Sequence, residues 1–142
     1  MRFAYPFDME LQPEGGFTMT FPDVPEAITQ GGTAGEAHAR AEDALVTALS
    51  FYTDDARPLP VPSAARGRAV AIVPPLAAAK LALHAAMLTA GLSNVELAQR
   101  LGLDEKAVRR LRDPLHRSHI GQVEAALRVL GKRLEAGVRE VI

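Results

Sequence analysis

Several carboxylates and histidines in this sequence are chemically able to serve a nuclease or hydrolase, but none stands in the pattern such a site needs. Metal-dependent phosphodiester cleavage uses clustered carboxylates that hold divalent ions, usually two, against the attacking and leaving oxygens. Asp8 and Glu10 share one strand-like segment and Glu42 and Asp43 one helical segment, yet the last apolar run of that half, Ala69 to Val73, carries no carboxylate. Asp8 and Glu10 therefore read as the solvated face of their strand. Asp23, within Phe-Pro-Asp-Val-Pro, reads as a turn residue whose side chain satisfies backbone N–H groups. His38, His84, His116 and His119 lie in helical segments or basic loops, without a G-x-S-x-G elbow, a zinc-ligand spacing or a Gly-rich loop after a strand. Cysteine is absent, which removes thiol nucleophiles, thiolate metal sites and disulfides. The expectation is a protein without catalytic residues, metal or cofactor.

Recognition of a polyanion is the chemistry these residues do support. Lys106, Arg109, Arg110 and Arg112 fall within eight residues, and Arg117 and His119 follow. Val108 and Leu111, three apart, set the inward face of a helix, so Glu105, Lys106, Arg109 and Arg110 project outward. Lys106 and Arg109 are the candidates for base edges, where one guanine pairing contributes about 1–3 kcal/mol of discrimination. Arg110, Arg112, Arg117 and His119 are assigned to phosphates, with Ser93 and Asn94 adding contacts at the start of the preceding helix. Glu105 repels phosphate, and either accepts from a cytosine amine or faces solvent. The wider charge pattern agrees: residues 1–74 hold 5 Lys or Arg against 10 Asp or Glu, and residues 75–142 hold 11 against 7. A total of −1 thus hides an acidic half and a basic half, which suits two partners of opposite sign.

A tight arrangement of helices must present that basic face. Pro74 and Pro75 open a first helix, since Pro is tolerated at the first helical position, and Leu76, Ala79, Leu83, Ala86, Met87 and Ala90 form its stripe up to Gly91. Ser93 and Glu96 have capping-box spacing ahead of Leu97, Ala98 and Leu101, and Gly102 stops this second helix. Leu103 is expected as a buried turn residue, and Asp104 as the cap of a third helix that Asp113-Pro114 ends. A further helix, about His119 to Leu130, turns Ile120, Val123, Leu127 and Leu130 to the core and ends at Gly131. In the tail, Lys132 to Ile142, alternation of Leu134, Ala136 and Val138 suggests a strand that pairs with another subunit or docks on the helices.

In the acidic half, Phe3, Tyr5, Phe7 and Met9 alternate with polar positions, and Phe17, Met19 and Phe21 with Thr18 and Thr20, which predicts two strands and a hairpin. Pro6 confines its part of the first strand to an edge, a bulge or an unpaired position. Ala27 to Gln30 is a short third strand ended by Gly31 and Gly32. Thr33 and Glu36 start a helix with the stripe Ala37, Ala41, Ala44, Leu45, Ala48, Leu49 and Tyr52. Pro58, Pro60 and Pro62 keep residues 56–68 extended, and Ala69 to Val73 is a buried strand, giving the order βββαβ.

These residues are familiar together. The run FPDVPEAITQGGTAGEAHARAEDALVTALSFYTDDARPLPVPS, residues 21–63, resembles the HicB antitoxin family of bacterial toxin–antitoxin modules in its FPD strand end, Gly-containing turn, T-x-x-EA helix start and Pro-Ser exit; Gly32 replaces the family's acidic residue after the turn Gly. Residues 91–135, with ELAQRLGL, VRRLRDP and HRS, resemble the Xre/Cro-type helix-turn-helix at the C-terminus of many HicB proteins. The resemblance implies an α+β chain: a partial ribonuclease H-like βββαβ domain at 1–73, which includes the Pro-rich 56–68, and a helix-turn-helix domain at 74–142. It also implies a HicA-like ribonuclease toxin as partner; among the acidic positions Asp23, Glu42 and Asp43 are the candidate contacts, and operator DNA is expected to be bound by a homodimer or higher homo-oligomer, as paired half-sites require. A stand-alone repressor whose N-terminal domain senses a ligand or dimerises is the alternative, and a metal-dependent ribonuclease ranks third. No signal-like or membrane-length apolar stretch is present, so the expected location is the cytoplasm, away from membranes.

Overall fold

A computed structural model describes residues 2–141. The chain is α+β. Strands β1 (Ala4–Leu11), β2 (Phe17–Phe21) and β3 (Val24–Gly31) are followed by helix α1 (Ala34–Asp54) and strand β4 (Ala69–Ile72). Four helices complete it: α2 (Pro75–Ala90), α3 (Asn94–Leu101), α4 (Glu105–Arg112) and α5 (Ile120–Val129). The order βββαβ is thus the one expected. All strand neighbours are antiparallel in the order β3-β2-β1-β4, and α1 packs on one face of the sheet. Tyr5, Phe7, Met19, Phe21 and Val24 meet Ala37, Ala41, Leu45 and Leu49 there, so the inward positions of both periodicities form one core.

One sequence expectation changes in the sheet and another is met at an unexpected place. The third strand begins at Val24 rather than Ala27, because Pro22 and Asp23 form a two-residue link between Phe21 and Val24. Pro25 is tolerated because β3 is an edge strand. Pro6, in turn, lies in the central strand β1, opposite Val70 of β4. Val73 N–H donates to the Phe3 carbonyl at 2.9 Å, so the odd residues of β1 exchange hydrogen bonds with β4 and the even ones face the other way. Pairing of β1 with β2 begins only at Asp8, so the missing N–H of Pro6 leaves no gap in either ladder.

Gly31 ends β3 against the helix: a Cβ there would stand 2.8 Å from the Ala37 backbone, so only Gly permits the approach. Thr33 caps α1 by accepting from Glu36 N–H at 3.2 Å, while the Glu36 carboxylate pairs with Arg40 at 2.9 Å. The Pro-rich segment is fastened at two points. Tyr5, whose phenol burial pushes up to about 12 and so keeps protonated, donates to the Pro60 carbonyl at 2.7 Å. Asp23 accepts from the Ser63 N–H at 2.9 Å and its hydroxyl at 2.8 Å. The FPD and Pro-Ser pieces of the sequence pattern are therefore two halves of one clamp.

Helix α2 serves two cores. Ala77 and Leu81 belong to the sheet core, whereas Ala79, Leu83, Ala86 and Met87 join Leu97, Val108, Leu111, Val123 and Leu127 in a second. After the left-handed Gly91 the chain bends by 110° into α3. The helix ends expected at Gly91, Gly102 and Gly131 all occur with φ between 64° and 72°. Leu103 is not buried but 39% exposed: its N–H closes α3 on the Ala98 carbonyl at 2.9 Å and its side chain stays outside the second core. Ile120, at the start of α5, is likewise 47% exposed, and Val123, Ala126 and Leu127 make the buried face. Among the described residues of the tail, 132–141, there is no strand; Leu134 packs on the second core while Val138 and Val141 are exposed, and Ile142 lies outside the described residues. Among the described residues no single helix is long and apolar enough to cross a membrane.

Candidate nucleic-acid interface

Both ends of the α3–α4 pair are built as their residue types require. Ser93 accepts from Glu96 N–H at 3.1 Å and the Glu96 carboxylate accepts from Ser93 N–H at 3.2 Å, a complete capping box. Gly102 takes the left-handed conformation that a three-residue link to α4 demands, and Asp104 accepts from Ala107 N–H at 2.8 Å. With Val108 and Leu111 buried, Glu105, Lys106, Arg109 and Arg110 are all exposed, as their spacing predicts. Arg109 is not free on that face: its Nε and Nη2 meet the Glu105 carboxylate at 3.2 and 2.9 Å. Ser93 at the cap of α3, Arg117 in the link after α4 and His119 at the cap of α5 are all exposed.

Two residues assigned to DNA contact lie elsewhere. Arg112 points inward, where its Nη1 donates to Asn94 Oδ1 at 2.7 Å and its Nη2 meets His84 Nδ1 at 2.6 Å. Burial also draws its guanidinium down from the ordinary value, and its Nε is buried without a partner. Arg112 thus ties the end of α4 to α2 and α3 instead of facing phosphate, and the Asn94 side-chain oxygen is taken up by the same bond. Eight residues of one helix cannot all face out, and position 112 follows Val108 by four.

Sequence reasoning missed Lys80 in α2 and the full depth at which His84 is buried. His84 has no exposed surface; its Nε2 lies 2.8 Å from the Arg57 carbonyl, beyond α1. The carbonyl can only accept, so Nε2 carries the proton and Nδ1 accepts from Arg112. Arg57 in turn lies over the Tyr52 ring, 4.2 Å from its centroid, and reaches Asp55 at 3.3 Å. A chain Arg57–His84–Arg112–Asn94 therefore links the exit of α1 to the start of α3. Its only signal in the sequence is a histidine, like Lys80, set in an Ala- and Leu-rich helix.

Burial holds the His84 imidazole below its ordinary value, with the Arg112 charge in the same direction and the bond to Arg57 opposing. The unfolded chain therefore takes up a proton near about pH 6.5 while the folded one resists it. Stability that is complete above that value is lost as pH falls towards the lowered folded value. Denaturant midpoints at pH 7.5 and 5.5 are expected to drop for the wild type and to drop less for His84→Gln; equal drops would refute this account.

The carboxylates singled out in the acidic unit stand in three settings. Asp23 is consumed by Ser63, so its role is the clamp on the Pro-rich exit. Asp8 pairs with Arg68 at 2.9 Å on the sheet face away from α1. Glu42 is half-buried and Asp43 exposed on α1, and neither makes an ion pair among the described residues. His38 is exposed and stands edge-on to Phe7, ring centroids 5.3 Å apart, as a surface helix residue.

An acidic α/β unit is thus joined through a shared helix to a helical unit with a basic face. Residues 4–82 match the family model described as the HicB-like antitoxin of bacterial toxin–antitoxin systems. The chain is 43% identical over 135 residues to Antitoxin HicB 2 of Photorhabdus laumondii, covering 95% of this chain and 94% of that one. It is 40% identical over 131 residues to Antitoxin HicB of Escherichia coli K12, covering 92% and 95%, and 40% identical over 134 residues to Antitoxin HicB of Pseudomonas fluorescens, covering 93% and 91%. The chain belongs to the HicB antitoxin family, and the likeness runs through α3, α4 and α5 as well as the sheet.

Proposed function

We propose that this antitoxin neutralises a HicA-like mRNA-cleaving toxin through its acidic N-terminal unit and, as a homodimer or higher homo-oligomer in the cytoplasm, represses its own operon through α3 and α4. The toxin reading rests on family membership together with the excess of acid in residues 1–74. A small basic ribonuclease is the complementary partner, and Glu42, Asp43 and Asp54 are the carboxylates of α1 with no internal ion partner among the described residues. On this reading the βββαβ unit is a partial ribonuclease H-like scaffold that covers the toxin and cleaves nothing.

The DNA reading is carried by one observation: α4 buries Val108 and Leu111 and turns Lys106, Arg109 and Arg110 outward behind a capped α3 and a Gly102 turn. A helix so presented fits the major groove as the second helix of a helix-turn-helix, with phosphate contacts from Ser93, Arg117 and His119 at its margins. Co-expression with the adjacent open reading frame tests the whole reading. Expected are rescue of growth from the neighbour's toxicity, a stable complex on purification, and retardation of a duplex from upstream of the operon. A neighbour that is harmless and does not co-purify would remove the toxin half; a duplex that is not retarded would remove the DNA half.

A further inference from the structure

Lys80 stands in the middle of α2 among Ala77, Ala79, Leu81 and Leu83, with no exposed surface. Its Nζ donates to the Arg110 carbonyl at 2.8 Å, the Asp113 carbonyl at 3.1 Å, Ser118 Oγ at 2.7 Å and the carbonyl of His116. Three of these acceptors are carbonyls, which cannot donate, so the nitrogen is held as an ammonium that divides its three protons among four oxygens. One belongs to the last turn of α4, where the helix dipole favours a cation, and the other three to the segment between α4 and α5.

Burying an ammonium is costly, and the cost is offset here because its protons go to four acceptors that an apolar side chain would leave unpaired. What Lys80 supplies is shape to a segment with few bonds of its own: residues 113–118 are tied internally by His116 N–H to the Asp113 carbonyl at 3.1 Å, Leu115 N–H to the Asp113 carboxylate at 2.9 Å, and a long His116–Ser118 side-chain contact at 3.4 Å. That segment follows α4 directly, carries Arg117 and leads into His119, both exposed.

We propose that Lys80 is the positioning residue of the phosphate contact: from inside α2 it fixes the end of α4 and the 113–118 segment so that Arg117 meets the DNA backbone. This rests on the DNA reading above. Lys80 touches no DNA itself and acts through Arg117, which separates it from a residue that merely holds the fold.

The test uses the full chain and two duplexes of equal length, one from upstream of its own gene and one of random sequence, with binding followed by fluorescence anisotropy over about 50–200 mM salt. Lys80→Met is expected to weaken both duplexes by a similar factor, about 5–10-fold, and to lower the salt slope by about one, with the ratio between duplexes unchanged. Arg117→Ala is expected to do the same, and the double variant no more than Arg117→Ala alone. Ser118→Ala, which removes one acceptor and strands no buried group, gives a smaller loss in the same direction and replaces Lys80→Met in the cycle if the latter fails to fold. Wild-type affinity in Lys80→Met overturns the proposal, as does a loss that adds in full to that of Arg117→Ala. A wild type that binds neither duplex overturns the DNA reading and this inference with it, whereas additivity in a DNA-binding wild type overturns this inference alone.

Discussion

Replacing Lys106 and Arg109 together by Ala is expected to weaken binding to the operator duplex by about 100-fold, while capture of the toxin stays unchanged. Each base-edge contact contributes roughly 1–3 kcal/mol of discrimination, so two lost contacts remove roughly 2–6 kcal/mol, and 100-fold, about 2.7 kcal/mol, stands towards the lower end of that range. The ion pair between Arg109 and Glu105 sharpens this. To reach a base, Arg109 must release the carboxylate or carry it along; Arg109→Ala leaves Glu105 unpaired beside the phosphates, where its charge repels. Because both basic side chains are exposed, the change should shift folding stability by only about 0.5 kcal/mol or less. The ratio of operator to random-sequence affinity is the telling readout. It should collapse here, whereas loss of the phosphate contact at Arg117 lowers both affinities together. A double variant that keeps the ratio would show that α4 does not read bases, and one that also loses the toxin would show that the two activities share a surface.

What could be read from the sequence was whatever depends on neighbours along the chain. Alternation in β1 and β2, the Thr33, Ser93 and Asp104 caps and the Gly91, Gly102 and Gly131 stops are local patterns, and the outward set of α4 follows from Val108 and Leu111 by helical geometry alone. The departures are residues whose role is set by partners far along the chain. Arg112 looks like one more member of a basic run until His84, 28 positions earlier, claims its guanidinium. Asp23 looks like a turn residue, and is one, but its carboxylate is fixed by Ser63, 40 positions on. Lys80 gave no local hint that four acceptors from residues 110–118 surround it. Pro6 signalled an unpaired backbone position correctly, but only the switch of partners from β4 to β2 shows why a central strand accommodates it.

A fragment ending at Pro74 should be less stable than one ending at Ala90 by roughly 10–20 °C in melting temperature. Charge and the Pro74-Pro75 pair place a boundary there, but Leu81, with no exposed surface, and Ala77 belong to the sheet core. Removing a buried Leu side chain costs about 2–5 kcal/mol, and a unit of this size has little stability in hand. One kcal/mol moves the midpoint of such a domain by about 4–8 °C, which gives the stated range at the lower costs. The family match running from residue 4 to residue 82 has the same physical sense, since it extends past Leu81. In the longer fragment Leu83 and Met87 lose their partners in the second core, so both are replaced by Gln to keep the bared face of α2 soluble. That fragment is expected to melt cooperatively and to capture the toxin without binding DNA. If the shorter fragment melted at the same temperature, α2 would belong to the helical unit alone. If only the longer one folds, each unit owns one side of the same helix, and Lys80 and His84 lie on the one element through which a toxin held on the sheet could be felt at α4.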